Sequence, residues 1–117
     1  GENEKEPRCV LRFPKVLAPV KVAVFPLQKN EEMQKHAKHL LKQLHLHGIT
    51  AEYDESGSIG KRYRRQDEIG TPWCITIDHD SIEEGDATIR DRDTLEQKRF
   101  DINDIPMMLV ERLHTEL

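Results

Sequence analysis

The sequence predicts an α/β fold, a mixed sheet covered by helices, and three observations carry the prediction. Residues 20–25 form a β-branched run stopped by Pro26; a capped segment of helical period follows, then a second short β run over 49–54. That order is a βαβ unit, which crosses over right-handed and makes a parallel strand pair. Residues 73–78 lack polar alternation, as a strand buried on both faces does, which places them centrally. Residues 86–92 and 96–102 do alternate, and they lie close enough to pair as a hairpin.

Taken in order, residues 1–7 are polar and read as a disordered tail, and residues 8–18 read as a linker in which Pro14 and Pro19 forbid a continuous helix. The expected organisation is therefore tail and linker over 1–17 and one folded domain over 18–117. Asn30 is the expected cap of the first helix, with Glu31 and Glu32 in the turn where the helix dipole favours carboxylates. Met33, Ala37, Leu40, Leu41 and Leu44 recur at helical spacing, and Gly48 ends the helix. Ser58 or Ser56 caps a second helix running to about Ile69, with a thin apolar face of Ile59, Tyr63 and Ile69 and a basic exposed side. The strand at 73–78 leads through a turn at 81–86 into the hairpin. Asn103 is the expected cap of the last helix, where Pro106 is tolerated in the first turn and Ile105, Met108, Leu109 and Leu113 face inward.

A chain of 117 residues holds one core and is too short for a catalytic domain plus a binding domain. Its opening, Gly1-Glu2-Asn3-Glu4-Lys5, lacks an initiator methionine and reads as a segment excised from a longer polypeptide or the remnant of a tag. There is no run of about 18 apolar residues, so no membrane helix is expected, and no leader directs the chain out of the cytosol. Cys9 and Cys74 lie far apart and outside any Cys-x-x-Cys motif, so two free thiols and no zinc site are expected. A net charge of −4 argues against a protein that coats nucleic acid indiscriminately, because counterion release needs a broad basic surface. The basic charge is concentrated instead, in Lys61, Arg62, Arg64 and Arg65 and then in Arg90, Arg92, Lys98 and Arg99.

At 100° per residue, Lys61, Arg64 and Arg65 share one side of the second helix while Arg62 points elsewhere. Such a face grips phosphates and sets register on a stem-loop; the plainer alternative is a solvated face with Arg64 or Arg65 tied to Asp67 and Glu68. Period-two geometry puts Arg90 and Arg92 on one strand face and Asp91 and Asp93 on the other. Guanidinium forks grip phosphate or a base edge, or stack on an unstacked base; a surface ion-pair ladder across the hairpin is the alternative. Asp78-His79-Asp80-Ser81 offers a general base or a metal held by aspartates, but neighbouring strand residues diverge and no nucleophile motif accompanies them. His36, His39, His45 and His47 ride the first helix without a His-Glu-x-x-His arrangement, and Gly57-Ser58-Ile59-Gly60 lacks P-loop spacing.

Two stretches carry a resemblance. Tyr53-Asp54-Glu55-Ser56-Gly57-Ser58-Ile59-Gly60-Lys61-Arg62-Tyr63-Arg64-Arg65-Gln66-Asp67-Glu68-Ile69-Gly70-Thr71-Pro72 and the later Ala87-Thr88-Ile89-Arg90-Asp91-Arg92-Asp93-Thr94 resemble, in this order, the C-terminal anticodon-binding domain of dimeric class II glycyl-tRNA synthetases. The likeness runs from about Ala18 to the C-terminus; the histidines of the first helix and the 81–86 turn depart from it. It implies a three-layer α/β/α sandwich with a five-stranded mixed sheet whose fourth strand is antiparallel. It also implies a partner, the anticodon stem-loop of tRNA(Gly), contacted by Arg90, Arg92, Ser81, Asp80, Ser56, Lys61, Arg64 and Arg65. Glycine anticodons share cytosines at their second and third positions. Reading cytosine takes an acceptor for its exocyclic amine and donors for its O2 and N3, which a carboxylate and an arginine supply together.

The resemblance further implies that the parent enzyme charges tRNA(Gly) with glycine, using ATP and Mg in a catalytic domain outside these residues. No catalytic residue, metal or cofactor is then expected here, and the fragment is expected to be a cytoplasmic monomer taken from a homodimer. Two other classes compete. The same fold serves as an accessory, protein-interaction part of a mitochondrial DNA polymerase, although the paired arginines and the full 57–72 motif favour the synthetase. A small hydrolase or metalloprotein would rest on Asp78, His79 and Asp80 alone.

Overall fold

In the computed structural model, residues 14–116 are described; the tail expected over 1–7 and the thiol of Cys9 lie outside them. Among the described residues the chain runs β1 (Val22–Pro26), α1 (Glu31–Leu46), β2 (Ala51–Tyr53), α2 (Ile59–Ile69), β3 (Trp73–Ile77), α3 (His79–Glu84), β4 (Asp86–Asp91), β5 (Gln97–Asp101) and α4 (Ile105–His114). Short 3-10 turns at Lys15–Leu17 and Ile102–Asp104 precede β1 and α4. The strands form one sheet in the order β2-β1-β3-β4-β5. β1 is parallel to β2 and β3, and β4 is antiparallel to β3 and β5. This is the five-stranded mixed sheet that the resemblance implied, with β3 at its centre and every β3 residue buried.

Strand alternation divides the apolar side chains between two faces. On one face Val22, Val24, Trp73, Ile75, Ile77, Ala87 and Ile89 meet Met33, Ala37, Leu40 and Leu44 of α1 and Ile105 and Leu109 of α4. α3 packs beside α1 on this side. On the other face Ala23, Phe25 and Cys74 lie beneath Ile59 and Tyr63 of α2. The result is three layers, with the large core on the first face and a small one on the second. Cys74 is a free thiol, and burial above all pushes its pKa up to about 12, so it has no nucleophilic character near neutral pH.

α1 forms as its sequence predicts. The Asn30 side chain accepts from the backbone N–H groups of Glu32 and Met33 at 2.9 and 3.2 Å, and Gly48 takes a φ of +78° just past the helix end. α2 is capped by Ser58, whose hydroxyl accepts from the Lys61 N–H at 3.3 Å.

Three expectations need correction. Ile69 does not join the apolar face of α2; it is 55% exposed, and Arg62 and Gln66 take the buried positions. The turn expected at 81–86 is taken up to Glu84 by helix α3, with Gly85 as its C-cap, and the helix is opened by a capping box in which Asp78 accepts from the Ser81 N–H while the Ser81 hydroxyl accepts from the Asp78 N–H, both at 3.0 Å. Six residues are too few to show a helical period, and so only the box betrays it. Asn103 does not cap α4. The Asp101 carboxylate accepts from the Asn103 N–H at 2.8 Å and starts the 3-10 turn that runs straight into α4.

Candidate nucleic-acid interface

The site follows from a shortage of cover. α2 packs over β1 and β3, and among the described residues the β4–β5 half of the same face carries no helix. Pairing fixes which side chains line that open half: Arg90 lies opposite Cys74 and Gln97, and Thr88 lies opposite Thr76 and Arg99. Thr88, Arg90, Gln97 and Arg99 therefore point to the α2 side. A step results, with the flank of α2 as its wall and a polar strip of sheet as its floor. Helical geometry puts Gly60, Arg64 and Asp67 along the rim of that wall.

Arg90 closes the corner of the step. Its guanidinium stacks 5.0 Å from the centre of the Tyr63 ring and forks onto Asp67 at 3.0 and 3.2 Å. Tyr63 is itself held by a 2.7 Å hydrogen bond between its hydroxyl and Thr76 and by edge-to-face packing on Phe25. The Asp67 hydrogen bonds, the largest influence on Arg90, raise its pKa, so the guanidinium stays charged throughout the physiological range. Arg92 donates through Nε to Asp93 at 3.2 Å and through Nη1 to the Gly70 carbonyl at the end of α2. Gly70 has a φ of +82°, and a Cβ there would lie 3.3 Å from Arg92 Nη1. Both facts favour glycine.

Arg99 forms a second node of the floor. It donates to Asp78 at 2.7 and 3.0 Å, to Asp86 at 3.1 Å through each of two nitrogens, and to Thr88 at 2.9 Å. The Arg99 hydrogen bonds are the main reason that the Asp78 carboxyl is pulled down to about 2. Asp78 also caps α3, so one guanidinium ties the hairpin to the helix that follows β3. The catalytic reading of Asp78, His79 and Asp80 rested on a strand end, whereas these residues open a helix and the Asp78 carboxylate is committed to Arg99 and Ser81.

The basic run of α2 separates into unlike parts. Arg62 is 3% exposed and donates to the carbonyls of Pro26, Asp54 and Leu27 at 2.6, 3.3 and 3.3 Å, stitching together the ends of β1 and β2. Arg65 forks onto Asp54 at 2.6 and 3.2 Å and donates to the Ser56 carbonyl at 3.0 Å. Burial works against the Asp54 charge, but Arg65 and the Ser56 N–H outweigh it and lower its pKa. The helix-local pairing of Arg64 or Arg65 with Asp67 and Glu68 is thus replaced by tertiary partners, Asp54 for Arg65 and Arg90 for Asp67. Lys61 and Arg64 are exposed and make no ion pair among the described residues.

These residues do not converge on one point. Ser56, Lys61, Asp80 and Ser81 lie at the side of the sheet where the parallel strands end, Ser56 and Lys61 after β2 and in the first turn of α2, Asp80 and Ser81 in α3. Arg90 and Arg92 lie toward the opposite edge: Cys74, the partner of Arg90, precedes Asp78 by four residues, roughly 13 Å along the strand. Ser56 and Asp80 are exposed. Ser81 is fully buried, and its hydroxyl serves the α3 cap, donating to Asp78 at 3.0 Å. Sequence reasoning missed Asp67, Asp78, Thr88 and Arg99 as members of the surface. The hairpin alternation held the signal for Arg99, since a register that sets Arg90 against Gln97 also sets Arg99 against Thr88.

The three-layer α/β domain thus presents an arginine-lined, half-covered sheet face, an arrangement whose chemistry can take phosphates and base edges. The profile of the family described as Anticodon binding domain matches residues 21–112, and the chain belongs to that family. The glycine–tRNA ligase of Caldanaerobacter subterraneus subsp. tengcongensis is 56% identical over 114 residues, which cover 96% of this chain and 24% of that protein. The glycine–tRNA ligase of Archaeoglobus fulgidus is 46% identical over 111 residues, covering 95% and 20%. The chain therefore spans about a fifth to a quarter of the length of these ligases. A prolyl-tRNA synthetase from Cryptosporidium parvum, solved with L-proline and AMP, superposes with a TM-score of 0.81 at 20% identity over 88% of this chain and 22% of that one. That likeness bears on the fold alone. The relatives favour the synthetase reading over the accessory-subunit one.

Proposed function

We propose that this chain is the anticodon-recognition domain of a glycine–tRNA ligase, with residues 18–117 as the RNA-binding module and 1–17 leading into it. Its task is to dock the anticodon stem-loop of tRNA(Gly) so that the acceptor end reaches a catalytic domain elsewhere in the full-length protein. There glycine is joined to the tRNA with ATP and Mg. The observation that carries this reading is the open sheet face beside α2, where Arg90 is held on Tyr63 and paired with Asp67, in a chain that belongs to the Anticodon binding domain family.

An arginine–carboxylate couple presents donors and an acceptor side by side, the complement of a cytosine edge. In the free domain the two groups satisfy each other. A base that offers both functions replaces one paired arrangement with another and leaves neither charge unpaired. Arg92 extends the donor row toward the end of α2. Arg64 grips phosphate from the rim and Lys61 from the first turn of α2, their charges unpaired among the described residues. At the other edge Ser56 and Asp80 meet the loop, Arg65 orders the 54–58 turn through Asp54, and Ser81 holds the α3 turn that carries Asp80. The isolated domain is a cytoplasmic monomer, and the full-length enzyme forms its homodimer through the catalytic part.

The test is a salt-dependent titration of the chain with a tRNA(Gly) anticodon stem-loop against one whose second and third anticodon cytosines are replaced. Preferential binding of the cytosine loop is expected. Equal binding of both would reduce the function to a phosphate contact, and no binding at low salt would end the RNA reading for the isolated domain.

A further inference from the structure

Arg99 stands on the open half of the sheet, opposite Thr88 of β4, and its side chain crosses that strand to reach Asp78 at the end of β3. A guanidinium has five N–H donors, all lying in its plane. Here all five are engaged. Nε donates to Asp86 at 3.1 Å, Nη1 to Asp78 at 3.0 Å and to the Thr88 hydroxyl at 2.9 Å, and Nη2 to Asp78 at 2.7 Å and to Asp86 at 3.1 Å. The edge of the group is therefore saturated. Two carboxylates also outweigh one guanidinium, so the node as a whole is negative and repels a phosphate. Hydrogen bonds to Asp78 foremost, and then to Asp86, raise the Arg99 pKa and keep the group charged. What remains for a ligand is the flat face. Asp86 and Thr88 stand on the α2 side of the sheet with Asp78 beside them, and bonds to all three lay the guanidinium across β4. Among the described residues no helix covers that half of the face, and 36% of the Arg99 side chain is exposed.

We propose that the Arg99 guanidinium is a stacking platform for one unstacked base of the RNA loop. The inference rests on the anticodon reading above and adds a second contact to it. Guanidinium planes stack on bases as aromatic rings do, and such contacts accept any base because every base has a π-face. Five hydrogen bonds fix the plane before a ligand arrives, so stacking freezes no further rotamer. Arg99 lies opposite Thr88, two residues from Arg90 and about 7 Å along the strand. That is wider than the about 3.4 Å rise between stacked nucleotides. The base on Arg99 and the base read by Arg90 are therefore splayed apart, as in an opened loop. Arg90 selects its base, whereas Arg99 adds affinity without choosing one.

The experiment uses the whole 117-residue chain with tRNA(Gly) anticodon stem-loops in which each loop nucleotide in turn is made abasic. At one position, loss of the base should weaken binding about ten-fold, the order expected for one stacked base, and in Arg99→Lys that penalty should vanish. Lysine keeps the charge and lacks the plane. Arg99→Lys should thus bind the intact loop about ten-fold less tightly, with unchanged salt dependence. If every penalty persists in the variant, Arg99 is a structural tie alone, and a flatter salt slope would make it a phosphate contact; either result overturns the proposal. A second readout needs no variant. The Arg99 Nε–H resonance should move upfield when the loop binds, because a ring lying over the plane shields it, and an unmoved resonance refutes the platform even where Arg99→Lys does not fold. If the chain binds no stem-loop, the anticodon reading fails by itself, and the same resonance is followed with a short oligocytidylate at low salt. An upfield shift there sustains the platform, and no shift ends it.

Discussion

The face packed by α1, α3 and α4 is apolar from β1 across to β4, with Val22, Val24, Ile75, Ile77 and Ile89 sealed under Leu40, Leu44, Ile105 and Leu109. The face beneath α2 is apolar only at Ala23, Phe25 and Cys74, and at β4 it passes to Thr88 and Arg90. One sheet thus serves two purposes. The sealed face supplies most of the area removed from water, and so most of the hydrophobic stabilisation. The half-open face places arginines on rigid strands, where packing and ion pairs fix them before any ligand arrives. Loss of a side chain from the first face should cost stability, and from the second binding.

Leu40→Ala tests the sealed face and should show the largest effect, a destabilisation of about 2–5 kcal/mol from lost transfer energy plus a cavity. Urea unfolding checks it. While the variant is folded, its preference between stem-loops should be that of the parent, and a changed preference would blur the division of labour. Arg62→Met comes next, at about 2–4 kcal/mol, because it strips buried carbonyls of their donor. Although Arg62 lies in the basic run, the salt slope of RNA binding should not move in this variant. A flatter slope would place Arg62 at the interface after all.

Arg90→Ala tests the open face and should weaken binding of the cytosine loop by about 1–3 kcal/mol. Its effect on unfolding should stay below about 1 kcal/mol, since the Asp67 partner is accessible to water. Lys61→Ala should instead lower binding evenly across loop sequences and reduce the salt slope by about one. The smallest effect belongs to Asp78. Its carboxyl titrates at about 2 in the fold against an ordinary 3.8, so its contribution is complete above about pH 4 and is lost as pH falls toward 2. For a partly exposed pair that is about 1 kcal/mol after screening. Asp78→Asn should shallow the acid limb of stability between those pH values, and an unchanged limb would assign acid unfolding to other carboxylates.

Much of the scaffold was legible along the chain. The stripe of Met33, Ala37, Leu40 and Leu44, the Asn30 cap, the burial of β3 and the pairing of β4 with β5 each depend on residues within a few positions of one another. Helical period, capping and strand alternation are local properties, and α1 and β3 form as those properties require. α3 escaped because six residues show no period, and Ile69 misled because the last turn of α2 leaves its side chain in water.

The candidate surface was only partly visible for a different reason. Which arginine meets which carboxylate depends on strand order and register, which bring Asp67 to Arg90, Asp54 to Arg65 and Asp78 to Arg99 across 11 to 23 residues of chain. Composition and spacing determined that the chain has one domain, a βαβ start, a concentrated basic charge and two arginines on one strand face. Packing decided the rest. It buried Arg62, left Lys61 and Arg64 in water, kept the described helices off one half of one face and tied Lys15 to Asp93 beside the arginine row. A side chain's local pattern says which way it points, but its free energy depends on the dielectric and the partners it finds there. Those are supplied by segments far away in sequence.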